Sequence, residues 1–209
     1  MEVIKKYFNE FTPKQEKQMA ALGDLYTYWN SQINLISRKD IDKLYPKHIL
    51  HSLSIAAIAD FADKTRILDI GTGGGFPGIP LAIFYPEVEF VLCDSINKKL
   101  NVVRAIKEEL ELDNVEIKWK RAEEIKQKNS FDFAVSRAVA PLGKLWRWSS
   151  PLIRKGTNKE LDNGLICLKG GDLNQEISDS NTSPMIWDME SIFEEPEVFE
   201  EKFVLYVQK

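Results

Sequence analysis

Residues 67–78, with the sequence ILDIGTGGGFPG, pass from an apolar run into a glycine-rich turn and then into a helical pattern. Glycine is needed where the backbone turns sharply and where a ligand must approach it closely. In open parallel sheets, ligands bind beyond the carboxyl ends of the strands. The segment therefore predicts a strand, a ligand-binding turn and a helix, in that order.

From Arg66 onward, short apolar runs alternate with helical patterns. Most of the runs are continuously apolar, as expected for strands covered on both faces, and the alternation predicts a mostly parallel, seven-stranded α/β sheet. The predicted strands are Arg66–Ile70, Val88–Asp94, Val115–Trp119, Phe131–Ser136, Leu165–Lys169 and Phe203–Val207, with Met185–Met189 as a hairpin partner of the last. The predicted helices are Ile79–Tyr85, Asn97–Leu110, a short one near Glu123, and Pro141–Ile153, with a loop at Ser178–Ser183.

The first sixty residues follow a helical rather than a strand pattern. Thr12 and Pro13 have the residue types of an N-cap and a first helical position. A second helical region is predicted from Asp40 to Ala59, with a break at Pro46. One apolar stripe at helical spacing, interpreted as core packing, consists of Met19, Leu22, Tyr26, Trp29, Ile33 and Ile36. We therefore expect a helical extension, residues 1–60, packed on a single Rossmann-like domain, residues 61–209.

Two nucleotide-binding patterns overlap in the glycine-rich turn. The dinucleotide pattern G-x-G-x-x-G starts at Gly73, whereas D-x-G-x-G-x-G, typical of methyltransferases, starts at Asp69. The strand ends near Ile70, so the first turn glycine should be Gly71, which the dinucleotide pattern leaves out. A carboxylate suits the sulfonium and ammonium of S-adenosyl-L-methionine but would repel a pyrophosphate. This favours a class I methyltransferase fold, with Asp69, Gly71 and Gly73 at the cofactor.

The ends of the second and third strands supply further candidate residues. Asp94 ends the second strand, where an acid can accept hydrogen bonds from both ribose hydroxyls. Asp94 is equally well placed to cap the helix that follows, and the two roles are compatible. Ala122 and Glu123 follow the third strand, where folds of this kind border the adenine.

Composition limits the class of protein. The chain has 209 residues, a net charge of −4, two cysteines and two histidines, so we expect no metal site. Neither a bilayer-length apolar run nor a secretory signal is evident, which predicts a cytoplasmic protein that does not contact membranes. We expect a monomer. Basic clusters such as Lys118-Trp119-Lys120-Arg121 are either solvated surface or contacts for phosphate.

Several segments together resemble one family, the bacterial small-subunit ribosomal RNA 7-methylguanosine methyltransferases, formerly called glucose-inhibited division protein B. The resemblance runs from about Tyr28 to Gly171. Its most specific parts are the glycine-rich loop and the later S-R-A sequence. The matching segments are INLIS (33–37), KHILHSL (47–53), DIGTGGGFPGIPLAI (69–83), LCDS (92–95), RAEE (121–124), VSRAVAPL (135–142) and LKG (168–170).

The resemblance implies methyl transfer from S-adenosyl-L-methionine to N7 of a guanine in 16S rRNA of the small ribosomal subunit. It also implies which residues contact the cofactor, namely Gly71, Phe76, Ala122, Glu123 and Arg137. Guanine N7 already carries an in-plane lone pair, so we predict no general base.

Substrate-side residues are assigned as candidates only. Those that position the substrate are Arg137, Lys169 and His48, and those that stack on an extruded base are Phe76 and Trp146 or Trp148. The family usually has an aspartate where this chain has His51. A role of that aspartate in positioning the substrate therefore does not carry over to this chain.

Other functions remain open from the residues alone. The same cofactor would serve a methyltransferase that acts on a protein or a small molecule. A non-enzymatic RNA-binding assembly factor with a vestigial pocket is a third hypothesis. A nicotinamide dehydrogenase is disfavoured by the position of the turn glycines.

Overall fold

The computed structural model describes residues 1–209, and a seven-stranded sheet forms its centre. The strand order is β3-β2-β1-β4-β7-β9-β8, in which the first five strands are parallel and β9 runs antiparallel to both of its neighbours. A separate two-stranded hairpin is formed by β5 and β6. The strands are β1 (Arg66–Ile70), β2 (Glu89–Asp94), β3 (Val115–Trp119), β4 (Phe133–Arg137), β5 (Thr157–Asn158), β6 (Leu161–Asp162), β7 (Gly164–Gly170), β8 (Met185–Asp188) and β9 (Lys202–Gln208).

Helices cover both faces of the sheet and form the N-terminal region. They are α1 (Glu2–Lys5), α2 (Pro13–Gln32), α3 (His51–Leu53), α4 (Gly78–Phe84), α5 (Asn97–Glu109), α6 (Leu142–Ser149), α7 (Asn174–Ser180) and α8 (Pro196–Phe199). Short 3-10 helices lie at Arg38–Lys43, Ala122–Glu124 and Met189–Ser191, and a π-helix lies at Tyr45–Leu50. None of the helices has both the length and the apolar composition of a membrane span.

The continuously apolar runs form the central strands, as predicted. In β1, β4 and β7 nearly every side chain is buried, because helices pack on both faces of these strands. All seven predicted strands are present within two residues of their predicted ends, and Met185–Asp188 pairs antiparallel with the last strand. The predicted α/β fold with a mostly parallel sheet is therefore confirmed.

Helix α2 joins the N-terminal region to the sheet. Thr12 caps its first turn in a reciprocal hydrogen-bonded box with Gln15. The Gln15 side chain also donates to the carbonyl oxygens of Ile83 and Phe84, each at 2.9 Å, which ties α2 to the end of α4. Apolar residues of α2 share one buried cluster with the sheet, so residues before and after 60 contribute to the same core.

The predicted helical region Asp40–Ala59 is helical as far as Leu53, but it is not a regular α-helix. The chain instead passes through a 3-10 helix, a π-helix and the short α3, and then through turns. Pro46 lies in the first turn of the π-helix, where a missing N–H costs nothing, so it does not break the segment.

Two boundaries after β4 also differ from the prediction. The helix predicted to reach Ile153 ends at Ser149, because Pro151 cannot continue it. The predicted loop Ser178–Ser183 is wrong in its first half, since α7 extends to Ser180. Helix α7 packs closely on α6, and a Cβ on Gly143 would lie 2.9 Å from the Ser180 Cα. Tertiary packing therefore forms a helix that its polar composition does not predict.

Candidate functional site

A cavity of about 320 Å³ lies at the carboxyl ends of β1 to β4. The turns that follow these parallel strands meet there, as expected for the ligand site of such a sheet. Residues predicted to contact the cofactor line much of it. They are Gly71, Gly73, Asp94, Ala122, Glu123 and Arg137.

The turn after β1 requires glycine for two reasons. Gly71 and Gly73 have φ angles of +67° and +55°, in the left-handed region. A Cβ on Gly71 would also lie 2.6 Å from a methyl carbon of Val139, which approaches from the turn after β4. The two turns therefore interlock, and the bare backbone forms the floor of the cavity.

Asp94 fixes this turn from the neighbouring strand. Its Oδ2 accepts a hydrogen bond from the Gly73 amide at 2.8 Å, and its Oδ1 accepts one from the Ile96 amide at 2.8 Å. Each carboxylate oxygen has two lone pairs, so both retain capacity to accept a ligand hydroxyl. The carboxylate thus holds the turn and the start of α5 while it faces the cavity.

Asp69 does not line the cavity, contrary to its predicted place at the cofactor. Its side chain is fully buried, and Oδ2 accepts a hydrogen bond from the Gly78 amide at 2.9 Å. Burial raises the pKa of Asp69 to about 7, although this amide bond and the Arg137 charge oppose the rise. Asp69 therefore holds the start of α4 behind the glycine turn.

Phe76 is the second predicted residue that does not line the cavity. Its side chain is only 2% exposed and stacks on Tyr26 at a centroid distance of 4.7 Å. The Arg137 guanidinium carbon lies 4.8 Å from the centroid of the Phe76 ring. The ring therefore supports Arg137 through a cation–π contact and does not form a stacking surface for an extruded base.

Arg137 and His48 are brought together from opposite parts of the chain. Arg137 donates from Nη2 to Nδ1 of His48 at 3.1 Å, so this ring nitrogen must be unprotonated. Burial, followed by the nearby Arg137 charge, lowers the pKa of His48 to about 4. Burial lowers the pKa of Arg137 itself to about 10, which leaves it charged at neutral pH.

Lys169 is already engaged within the protein. Its Nζ donates to the Ala140 carbonyl at 2.6 Å and pairs with Oε1 of Glu176 at 2.5 Å. The same Glu176 oxygen accepts a hydrogen bond from the Leu142 amide at 2.7 Å. In this structure Lys169 therefore anchors the turn between β4 and α6, instead of presenting a free ammonium group to a substrate.

A second cavity, of about 430 Å³, adjoins the first through Arg137, Ala138 and Val139. His51 and Lys202 lie on its wall. The His51 Nε2 is buried without a hydrogen-bond partner, and burial followed by the Arg137 charge lowers the pKa of His51 to about 3. The residue that replaces the family aspartate is thus neutral.

Of the two tryptophans named as stacking candidates, one lies at the cavity and the other packs against the core. Trp148 lines the first cavity, and the Lys144 ammonium lies 4.9 Å from the centroid of its ring. Trp146 packs partly buried against the core cluster between the sheet and α6.

Sequence reasoning missed Tyr26 and Val139 as parts of the site. Tyr26 donates from its hydroxyl to the Gly74 carbonyl at 2.6 Å, across 48 residues of sequence. Val139 fits against Gly71 from a turn in which Ala138 has a φ of +54°. The only sequence signal for Tyr26 is its place in an apolar stripe, and this signal is shared by every core residue of α2.

Replacing Tyr26 with phenylalanine tests whether α2 holds the glycine turn. The buried Gly74 carbonyl loses its donor, so we expect a loss of about 1–2 kcal/mol of unfolding free energy. We also expect binding of S-adenosylhomocysteine, measured by calorimetry, to weaken about threefold to tenfold because the turn is less restrained. Tyr85→Phe is the matched control, since Tyr85 donates to the Ala59 carbonyl away from the cavity. Equal affinity of Tyr26→Phe and wild type would contradict this role.

The two buried histidines predict a dependence of stability on pH. Their pKa values are about 4 and about 3 in the folded chain but near 6.5 when unfolded, so the unfolded chain binds more protons between these values. The unfolding free energy should therefore fall as pH falls from 6.5 to 4, by roughly 3 kcal/mol per histidine.

A double variant, His48→Gln with His51→Gln, isolates this contribution. The raised pKa of Asp69 has the opposite effect, because it increases the unfolding free energy as pH falls over the same range. This effect is present in both the wild type and the double variant, so it cancels in the comparison. Urea denaturation at several pH values should give a shallower decline for the double variant than for wild type. Parallel curves would show that the histidines are not buried as neutral groups.

The groups that line the cavity suit S-adenosyl-L-methionine. Bare backbone at Gly71 and Gly73 permits close approach, and the Asp94 carboxylate has free acceptor capacity. Arg137 supplies a permanent positive charge that can pair with a carboxylate. This combination suits a ligand with ribose hydroxyls and an amino-acid end.

Solved structures with the same fold share little sequence identity with this chain. A SAM-dependent methyltransferase from Aquifex aeolicus superposes with a TM-score of 0.58 at 15% identity, covering 78% of this chain and 91% of that one. The YcgJ protein from Bacillus subtilis gives a TM-score of 0.52 at 17% identity, covering 71% and 78%.

Sequence relatives are much closer. The ribosomal RNA small subunit methyltransferase G of Phocaeicola vulgatus is 53% identical over 207 residues, covering 99% of this chain and 98% of that protein. The protein of the same name from Bacteroides thetaiotaomicron is 50% identical over 208 residues, with both chains fully covered. The family model described as rRNA small subunit methyltransferase G matches residues 15–194. The chain therefore belongs to the rRNA small subunit methyltransferase G family.

Proposed function

We propose that this chain transfers a methyl group from S-adenosyl-L-methionine to N7 of a guanine in 16S rRNA of the small ribosomal subunit. The observation that carries the proposal is the convergence of the glycine turn, Asp94 and Arg137 on one cavity in a member of this family. The methyl donor supplies an electrophilic carbon on a sulfonium, and the protein's own residues hold donor and acceptor in place.

The acceptor needs no activation by a base. Guanine N7 carries an in-plane lone pair and loses no proton when it is methylated. The contribution of the protein is then proximity and orientation, which can supply most of the rate enhancement of such a displacement. The nearest imidazole agrees with this, because the Nδ1 lone pair of His48 already accepts from the Arg137 guanidinium and a pKa of about 4 makes the ring a weak base.

Arg137 cannot favour the reaction by pressing on the target ring, since the methylated guanine is itself cationic. Its guanidinium is held by His48 and by the Phe76 face, at the boundary of the two cavities. We assign its remaining donors to a carboxylate or phosphate. The acceptor nucleotide enters from the side of the second cavity.

The partner in this proposal is the small ribosomal subunit, and the chain acts on it as a monomer in the cytoplasm. Membership in a family named for ribosomal RNA methylation supports the partner. The helical extension 1–60 acts as a structural part of the methyltransferase unit, since it shares the main core cluster with the sheet.

The experiment is methyl transfer from labelled S-adenosyl-L-methionine to small subunits from cells that lack this chain, followed by nucleoside analysis. Label in 7-methylguanosine of 16S rRNA is the expected result. Label confined to ribosomal protein would favour a protein methyltransferase. Binding of subunits without either cofactor binding or label would favour a non-enzymatic assembly factor.

A further inference from the structure

Trp119 is a large apolar side chain left in solvent beside the cavity. It ends β3, an outer strand of the sheet, and is 61% exposed. Its indole N–H donates to the Ser95 carbonyl at 3.1 Å, and Ser95 lines the proposed cofactor cavity. The ring is therefore held in a fixed position near the cavity although most of its surface is in water.

The surroundings of Trp119 are basic. A groove of about 480 Å³ runs from Lys118–Lys120 to Glu124–Gln127, and Lys120 also lines the cofactor cavity. Lys99, Lys120 and Lys126 form no ion pair within 4.0 Å, so no carboxylate is bound directly to their ammonium groups. The three neighbouring acids are partly engaged, because Glu116 pairs with Lys118, Glu124 accepts from the Arg121 amide and Glu123 faces the Arg121 guanidinium.

We propose that Trp119 and these lysines form an RNA platform, in which the indole stacks on an unpaired base and the lysines bind the adjoining phosphates. An exposed aromatic ring among unpaired lysines is the chemistry that recognises single-stranded RNA. The platform contacts the cofactor cavity at Lys120, beside Ala122 and Glu123, so the RNA bound there continues across the cavity mouth toward Arg137 and the second cavity. The assignment of the RNA to the small subunit rests on the proposed function.

The test compares Trp119→Ala and Trp119→Phe with wild type, using small subunits and free 16S rRNA as probes. Base–aromatic stacking predicts that Trp119→Ala binds both probes about 5- to 100-fold more weakly in filter-binding assays. It also predicts a matching rise in KM for subunits, with kcat and the Kd for S-adenosylhomocysteine within about twofold of wild type. Tyr28→Ala is the control, because Tyr28 is 60% exposed on α2 and distant in sequence from this groove.

Trp119→Phe separates stacking from the Ser95 hydrogen bond. Phenylalanine keeps a ring but loses the indole N–H, so it should recover most of the affinity. If Trp119→Phe is as weak as Trp119→Ala, the hydrogen bond and not the ring matters, and the platform is refuted. Equal loss of S-adenosylhomocysteine affinity would instead make Trp119 a wall of the cofactor cavity.

The salt dependence of binding tests whether the lysines contact phosphates. Log affinity falls as log salt concentration rises. In the double variant Lys120→Gln with Lys126→Gln, this decline should be shallower by about 0.7 per lysine. Loss of affinity for subunits but not for free 16S rRNA would mean a ribosomal-protein contact and overturn the RNA assignment. If wild type transfers no methyl group, the proposed function fails, while the binding comparison still decides the platform.

Discussion

Arg137→Ala is expected to lower kcat/KM for methyl transfer to small subunits by roughly 100- to 1,000-fold. The substitution removes the permanent charge at the boundary of the two cavities, and it leaves His48 without the donor to its Nδ1. Arg137→Lys should recover little activity, because an ammonium group cannot reproduce the planar contact with Phe76 together with the bond to His48. Steady-state kinetics with labelled cofactor measures both variants.

Arg154→Ala is the matched control for this prediction. Arg154 also forms a strong side-chain contact, a two-bond pair with Asp132, each bond at 2.6 Å, but outside both cavities. We expect it to lower thermal stability and leave kcat/KM nearly unchanged at a temperature where the variant is folded. Near-normal transfer by Arg137→Ala would show that the guanidinium contacts neither the cofactor nor the substrate.

Asp94→Ala is expected to weaken binding of S-adenosylhomocysteine by at least about 100-fold. One carboxylate supplies the acceptor for the ribose hydroxyls and the bond that holds the Gly73 amide, so both are lost together. Loss of the partners of two backbone amides should also cost about 1–2 kcal/mol of unfolding free energy. Calorimetric titration gives the affinity, and urea denaturation gives the stability.

Asp94→Asn and Asp113→Ala complete this comparison. The asparagine keeps one oxygen, so we expect an affinity between those of wild type and Asp94→Ala. Asp113 is exposed in the turn before β3 and should not affect binding. If Asp94→Ala bound the cofactor product normally, the ribose would have to lie elsewhere.

The sequence predicts the sheet well because its signal is local. Continuous apolar runs such as β1 and β4 are typical of strands covered on both faces, and each run forms a strand. Because both faces of these strands are buried, the sequence does not indicate which way a given side chain points. In β1 both faces are buried, so no alternation shows whether Asp69 points toward the cavity or behind the turn.

The contacts that complete the site are not local and have no sequence signal of their own. Lys169 lies one residue before the end of β7, but its partner Glu176 lies on a helix that the polar composition did not predict. Phe76 follows the glycine turn as expected, yet it also packs against Tyr26 and the Arg137 guanidinium. Such pairs become visible only when the topology brings distant turns together.

The most direct measurement is a crystal structure of the chain with bound S-adenosylhomocysteine. We expect the ligand in the cavity at the ends of β1 to β4, with its ribose at Asp94 and its amino-acid end at the glycine turn. Density for the ligand at any other place, or a filled cavity in which Asp94 makes no contact with it, would contradict the account.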